Sequence, residues 1–400
     1  MENTLHSRRS ALAALGAGLW AVACAKAVDA PTAAAAGSGA AADASAASSD
    51  AAIDANNAVV DIAVADSQVI DAAALPVDAT VVADASEGAL DVAAADASVD
   101  AAVWPNPIAA ITSNADHYVT SCCEIPLIDP SSWTINLLDV GAPLGTIDWA
   151  FLTSLTAKNL EHTLQCISAG PDNLSISNAI WTGLPLKELM IARGIAIPSQ
   201  RITLKIGAQD GYTTDLPVSD LEAPLWLMWK MNGEPIPAEH GFPARLVIPG
   251  RYGMKNCKWL TQIEFLDQPF LGQWEKTGWS DQAVYKANAL ILHPVLDQKL
   301  LNNQVFRIAG SAYAGADPVV AVAVRVDDGA WQQAVLDYAP GANRWVLWHL
   351  DWSAAGLGVH KVQARCTTAA GLISDDNADP MDELSGQGYG GSMSVLFKVA

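Results

Sequence analysis

The stretch from His240 to Trp259 sets His240, Arg245 and Lys258 around a short apolar run, Leu246 to Ile248. That set of side chains suits a phosphate, because arginine offers a planar fork to two oxygens, lysine adds a point charge and imidazole can donate once more. The plainer reading is a strand with solvated charges beside it, and spacing alone leaves both open. The six cysteines, Cys24, Cys122, Cys123, Cys166, Cys257 and Cys366, form no paired Cys-x-x-Cys sets, which argues against a zinc site. No Cys-x-x-Cys-His occurs, so c-type haem has no attachment point, and six cysteines are too sparse for a disulfide framework in 400 residues. Neither a Gly-x-Gly-x-x-Gly nor a Walker pattern is present, so NAD and nucleoside triphosphates have no motif to sit on. The net charge of −21 comes without a basic stripe, and nucleic acid is excluded as a partner for want of its electrostatic footprint.

The elements that must hold these residues can be read from the hydrophobic pattern. Leu246 to Ile248, bracketed by Pro and Gly, reads as a buried strand. Trp133 to Leu137 alternates like a half-buried strand, Leu160 to Ile167 is a strand that ends near Cys166, and Ile202, Leu204 and Ile206 alternate toward a turn at Asp210-Gly211-Tyr212. A helix is expected over Pro185 to Arg193, with Leu186, Leu189 and Met190 on one face and Gly194 as its stop. This irregular alternation predicts an α+β class, a mixed α+β domain over 104–285. From Lys286 on, only short strands separated by Gly, Pro and Asp turns are expected. Val320, Val322, Val324 and Val326 face one way, as do Val346, Trp348, Leu350 and Trp352, and then Met393, Val395, Phe397 and Val399, the pattern of a β-sandwich over 286–400.

Ahead of these, residues 1–24 read as an export signal: Arg8-Arg9 precede an apolar run from Ala11 to Ala23 that is too short to span a bilayer. Ser7-Arg8-Arg9-Ser10-Ala11-Leu12 resembles a twin-arginine export motif, against the alternative of an ordinary secretory signal. Ala21-Val22-Ala23-Cys24 resembles a lipobox that would lipidate Cys24, against plain cleavage nearby. The expected location is the periplasm, free or as a membrane-anchored lipoprotein. Residues 25–103 hold thirteen Asp or Glu against the single Lys26 and no aromatic side chain, so they cannot offset their conformational entropy and read as a disordered acidic linker.

His240-Gly-Phe-Pro-Ala-Arg245, then Val247-Ile-Pro-Gly250, then Lys258-Trp259 resembles the molybdopterin-binding segment of the sulfite oxidase family. So do Leu164-Gln165-Cys166 and Ile176-Ser-Asn-Ala-Ile-Trp-Thr-Gly183, which match the surroundings of that family's metal-binding cysteine. The resemblance covers roughly 115–400. It implies a molybdopterin-binding domain followed by an all-β immunoglobulin-like sandwich used for dimerisation, with Trp331 at the place of that domain's hairpin tryptophan. It implies one molybdenum-molybdopterin per chain with Cys166 as catalytic metal ligand, where soft thiolate suits a transition metal. His240, Arg245 and Lys258 are then expected at the phosphate, Asn256 and Cys257 as main-chain contacts, and Asp210, Tyr118, Val119 and Thr120 as further cofactor contacts.

Departures from the family bear on substrate. Where sulfite-oxidising members carry arginines, this chain has Tyr118-Val-Thr-Ser-Cys122 and Cys166-Ile-Ser-Ala-Gly170, and Arg251 or Lys255 is the remaining candidate to meet an anion. No b5-type haem domain accompanies the chain's motifs, so electrons are expected to leave to a separate carrier, and a homodimer is expected. The reading is an exported molybdenum enzyme transferring an oxygen atom in two-electron steps to or from a small-molecule substrate. The alternative is an inactive anchored scaffold that keeps the fold.

Overall fold

In a computed structural model, residues 108–170, 173–223, 225–338, 340–374, 388 and 390–400 are described. The expected export signal and acidic linker, and the start of the first domain at Trp104, lie outside the described residues. Among the described residues ten strands precede residue 285: β1 (Thr134–Asp139), β2 (Ala142–Asp148), β3 (Lys158–Gln165), β4 (Ile176–Pro185), β5 (Thr203–Ala208), β6 (Thr213–Pro217), β7 (Trp226–Met231), β8 (Glu234–Pro235), β9 (Arg245–Val247) and β10 (Leu260–Leu266). They form two five-stranded sheets, one in the order β2-β1-β10-β5-β6 and one in the order β3-β4-β7-β8 with β9 paired to β7. Only the β1–β10 pairing is parallel in these two sheets.

The strands alternate as half-buried strands should. Leu227 and Trp229 of β7 enter a core shared with Ile135, Leu137, Leu204, Ile206, Ile263 and Phe265 of the first sheet, while Met228 enters a smaller cluster with Leu164, Ala179, Trp181 and Val247 on the opposite face, joined there by Met231 beyond a register shift against β4. Both α-helices among the described residues are short. In α1 (Trp149–Ser154) the Asp148 carboxylate accepts from Phe151 N at 2.8 Å, an N-cap that satisfies one otherwise unpaired donor. In α2 (Leu186–Ala192), Leu186, Leu189 and Met190 are the buried face, and the chain leaves through Gly194 at φ +73°, close to the expected bounds. The expected mixed α+β domain is therefore sheet-dominated, because apolar residues recur at helical spacing over one short stretch and at period two nearly everywhere else.

Ten further strands follow among the described residues: β11 (Asn288–His293), β12 (Lys299–Leu300), β13 (Val305–Tyr313), β14 (Val319–Val326), β15 (Gln332–Gln333), β16 (Val335–Leu336), β17 (Val346–Ser353), β18 (Gly358–Thr368), β19 (Gly391–Ser392) and β20 (Ser394–Val399). They make two sheets, β16-β17-β13-β11-β19 and β12-β20-β18-β14-β15, closed over one apolar core that holds Val346, Trp348, Val395, Phe397 and Val399. One expectation fails here. Val320 is exposed and Val319 buried, because a register shift between Val319 and Ala321 turns the first residues of β14 over; the core phase is held by Val322 and Val324.

The same core takes in Ile167, Ile176 and Tyr252 from the first half. Tyr252, Tyr285 and Tyr313 stack edge to face at centroid separations of 4.7 and 4.8 Å across that contact. The segment that carries Cys166 is thereby braced from below by the second half of the chain.

Candidate functional site

Cys166 follows the last residue of β3, and its backbone N–H donates to Ser175 O at 2.9 Å, which fixes where the side chain emerges. The thiol is 6% exposed, lines a cavity and sits 3.2 Å from Ser168 Oγ. Burial pushes its pKa up, against hydrogen bonds from Ser168 and Thr120 that favour the thiolate. The cavity encloses about 820 Å³ of space, part of it open to solvent.

Opposite Cys166, the loops flanking β9 bring the two cations together. Gly241 stands at φ +113°, and a Cβ there would come within 3.0 Å of Lys258 Cβ and 3.1 Å of Arg245 Cβ, so the close approach of these side chains requires glycine. Gly253 serves the same purpose nearer the thiol, where an added Cβ would meet the Tyr118 hydroxyl at 2.8 Å. Arg245 is 5% exposed, with its guanidinium 5.0 Å above the Trp181 ring, and donates to His240 O at 2.9 Å and Asn256 O at 3.0 Å. Lys258 Nζ donates to Thr120 O at 2.9 Å and Glu239 O at 3.0 Å, 4.3 Å over the Trp259 ring. Among the described residues no carboxylate forms an ion pair with either. Burial draws Arg245 down to about 10; burial first, then Arg245, draws Lys258 down to about 7.

The expected residues divide on inspection. Tyr118, Thr120, Cys166, Asp210, His240, Arg245, Asn256, Cys257 and Lys258 all line the cavity. Val119 does not: it is 48% exposed, as an extended chain places alternate residues on opposite sides. Asn256 acts through its backbone carbonyl, while its side chain accepts from Ile248 N and donates to Arg251 O and Tyr252 O, bracing the loop. Cys257 is buried and its thiol, raised by burial, donates to Lys258 O at 3.4 Å. Asp210 accepts from Tyr212 N at 3.1 Å as a turn residue, and burial raises its carboxyl.

His240 is less suited to a phosphate than its spacing implied. Its Nε2 lies 2.8 Å from Asn114 O, so that nitrogen carries the proton, and burial lowers the pKa. The neutral ring is left with a bare Nδ1, an acceptor, where a phosphate oxygen needs a donor. Arg251 and Lys255 are likewise engaged elsewhere. Arg251 pairs with Asp220 at 2.8 Å, and Lys255, 1% exposed, pairs with Glu275 at 2.6 Å and Asp215 at 3.1 Å; neither lines the cavity.

His117, Trp274 and Trp279 were not foreseen and line the cavity. The His117 ring packs edge-on against His240 at 5.0 Å, Nδ1 donates to Tyr118 O at 3.1 Å, and Nε2 is buried without a partner. Burial first, then His240, lowers its pKa to about 3, so at neutral pH Nε2 is a bare acceptor on a residue that lines the cavity. Its only sequence signal was adjacency to Tyr118. The donor set fits an anion-bearing, hydrogen-bonding cofactor with a soft metal: the thiol offers a soft ligand, and an orphaned imidazole nitrogen and two buried cations that have no counterion among the described residues are each costly until a ligand meets them.

The lysine gives a pH test. Between about pH 7 and pH 10.5 the unfolded chain keeps this proton while the folded, ligand-free protein sheds it, so the burial cost of Lys258 is full below pH 7 and disappears as pH rises. Thermal unfolding of ligand-free protein should show Lys258→Met gaining stability over wild type at pH 7 and losing most of that advantage by pH 10. An advantage that does not change with pH would show that Lys258 is not a buried cation.

Residues 122–274 match the family model described as the oxidoreductase molybdopterin binding domain. The chain is 25% identical over 288 residues to the mitochondrial sulfite oxidase of Mus musculus, covering 60% of this chain and 52% of that one. It is 36% identical over 101 residues to the uncharacterized oxidoreductase YuiH of Bacillus subtilis, covering 25% of this chain and 50% of that one. The chain thus spans about half the length of these curated relatives. Among solved structures, the sulfane dehydrogenase SoxCD from Paracoccus pantotrophus superposes with a TM-score of 0.61 at 18% identity, covering 72% of this chain and 83% of that one, a likeness of fold.

Proposed function

We infer, from a chain that carries a molybdopterin-binding oxidoreductase domain of the sulfite oxidase family, that this protein is an exported molybdenum enzyme acting on a small substrate by two-electron oxygen-atom transfer. The observation that carries this reading is the Cys166 thiol buried in the same cavity as two cations that have no counterion among the described residues. When bound, the molybdenum cofactor supplies the oxygen-atom and electron chemistry. The protein's part is binding, orientation and electrostatics. Arg245 and Lys258 would hold the phosphate, His117 Nε2 would be the acceptor for a pterin N–H, and Cys166, once deprotonated, would be the thiolate that holds the metal. Asn256 holds the loop that presents Arg245, and Tyr212, Trp274 and Trp279 line the cavity.

Export rests on Arg8-Arg9 and the apolar run after them, with lipidation at Cys24 as its further form and residues 25–103 as a tether. Residues 286–400 are proposed as an immunoglobulin-like dimerisation domain, and electrons as passing to a separate carrier.

The substrate follows from charge. Sulfite, the substrate in the name of the mouse relative, is an anion that needs fixed positive charge to offset its desolvation. Here Thr120 and Ser168 to Gly170 are neutral, and Arg251 and Lys255 are held in ion pairs away from the cavity. Sulfite is therefore expected to be a poor substrate, with kcat/KM below the roughly 10⁴–10⁸ M⁻¹s⁻¹ of physiological reactions, and a neutral oxygen donor or acceptor of the sulfoxide class to be better. Turnover of sulfite with artificial electron acceptors, run beside sulfoxides with a reduced dye, tests this. Sulfite oxidation inside that range would overturn the charge argument; no turnover in either direction by cofactor-loaded protein would overturn the enzymatic reading.

A further inference from the structure

Two thiols at the cavity stand outside the set assigned to the cofactor. Cys122 is half-buried in the cavity wall and Cys123 is exposed beside it, with their sulfurs 2.6 Å apart. That separation discriminates between two uses of a thiol pair. Thiolates sharing one tetrahedral zinc, each about 2.3 Å from the metal, stand roughly 3.8 Å apart, whereas bonded sulfurs stand about 2.05 Å apart. The pair is closer to bonding distance than to chelating distance. Asp210, the third group within reach, has its carboxylate 4.0 Å from Cys122 Sγ, as a thiol acceptor.

We propose that Cys122 and Cys123 are a redox-active vicinal pair at the cavity wall, passing between dithiol and intramolecular disulfide by exchange with small disulfides of the glutathione class. Adjacent Cα atoms lie about 3.8 Å apart, shorter than the usual 4.4–6.8 Å span of a disulfide, so a bond between neighbours is a readily reducible one rather than a structural staple. The surroundings assign the order of events. Cys122, half-buried, lies within sulfur hydrogen-bond reach of the Asp210 carboxylate or of Gln273 Oε1 at 3.8 Å, while Cys123 faces solvent. Cys123 thiolate attacks one sulfur of the small disulfide, forming a mixed disulfide and releasing one thiolate. Cys122, losing its proton to solvent, then attacks Cys123 Sγ, forming the Cys122–Cys123 bond and releasing the second thiolate. The pair loses two electrons, the small disulfide gains them, and two protons pass to the departing thiols. The change is felt in the cavity, because Thr120, two residues upstream, holds Lys258 through its carbonyl.

This chemistry requires no molybdenum, so it stands or falls separately from the proposed activity. The full chain is equilibrated with defined ratios of reduced to oxidised glutathione, quenched in acid and alkylated, and the mass of the peptide holding both cysteines is read. As the oxidised share rises, the peptide should pass from two alkyl groups to none, with the loss of two hydrogens. Cys122→Ser should stop at a single glutathione on Cys123, and Cys123→Ser should acquire its glutathione about tenfold more slowly or worse. Separate glutathione adducts on both residues, or no oxidised form at any ratio, would overturn the proposal. So would a stoichiometric metal that blocks alkylation until a chelator removes it.

Discussion

Cys166→Ser is expected to lower turnover by at least about 100-fold, since even the outer partners of metal ligands typically cost 10–100-fold when removed. The substitution keeps a hydroxyl that can still meet Ser168 Oγ, which lies 3.2 Å from the sulfur in the native chain. It replaces a soft thiolate by a harder and far less acidic oxygen, which changes the metal's ligand field without opening a large void. The readouts are kcat, the optical spectrum of the loaded protein and its melting temperature. Activity and spectrum should change together while melting stays near wild type. Wild-type turnover and an unchanged spectrum in the variant would remove Cys166 from the metal.

Lys258→Met should weaken cofactor retention by roughly 10–100-fold, the equivalent of one charge-assisted hydrogen bond at about 1.5–3 kcal/mol. Methionine keeps much of the stem that lies over the Trp259 ring, so the loss is chiefly that of the ammonium. The same change at Arg245 is harder to interpret, because its guanidinium also ties His240 O to Asn256 O and lies over Trp181. Pterin and molybdenum content after dialysis, compared between wild type and Lys258→Met at equal folded protein, measures the effect. Equal retention would place the phosphate elsewhere.

The parts of the site that were legible in the sequence are those whose geometry is set by near neighbours. His240 to Trp259 closes on itself through Gly241, the short strand β9 and the Asn256 brace, so the convergence of Arg245 and Lys258 is written within one loop. Cys166 was legible because β3 pairs with β4 along its whole length, so the match of Ile176 to Gly183 also fixed the strand that delivers the thiol. The remainder depended on distant partners. Lys255 finds Asp215 and Glu275, and Arg251 finds Asp220, none of which local spacing can reveal, and so both were misread as available to substrate. His117 becomes a site residue only because His240 packs against it from more than a hundred residues away. Trp274 and Trp279 reach the cavity on a loop after β10 that carries no periodic pattern. In the second half, the alternation of β17 and β20 held, and only the bulge at the start of β14 displaced a valine from its expected face.

The central claim is that the cavity beside Cys166 is built for a molybdenum cofactor. The full-length wild-type chain, produced in a host that makes molybdopterin and purified in folded form, should contain about one molybdenum and one pterin phosphate per chain, and Cys166→Ser should alter the metal's spectrum. Folded wild-type protein with neither molybdenum nor pterin would contradict the account.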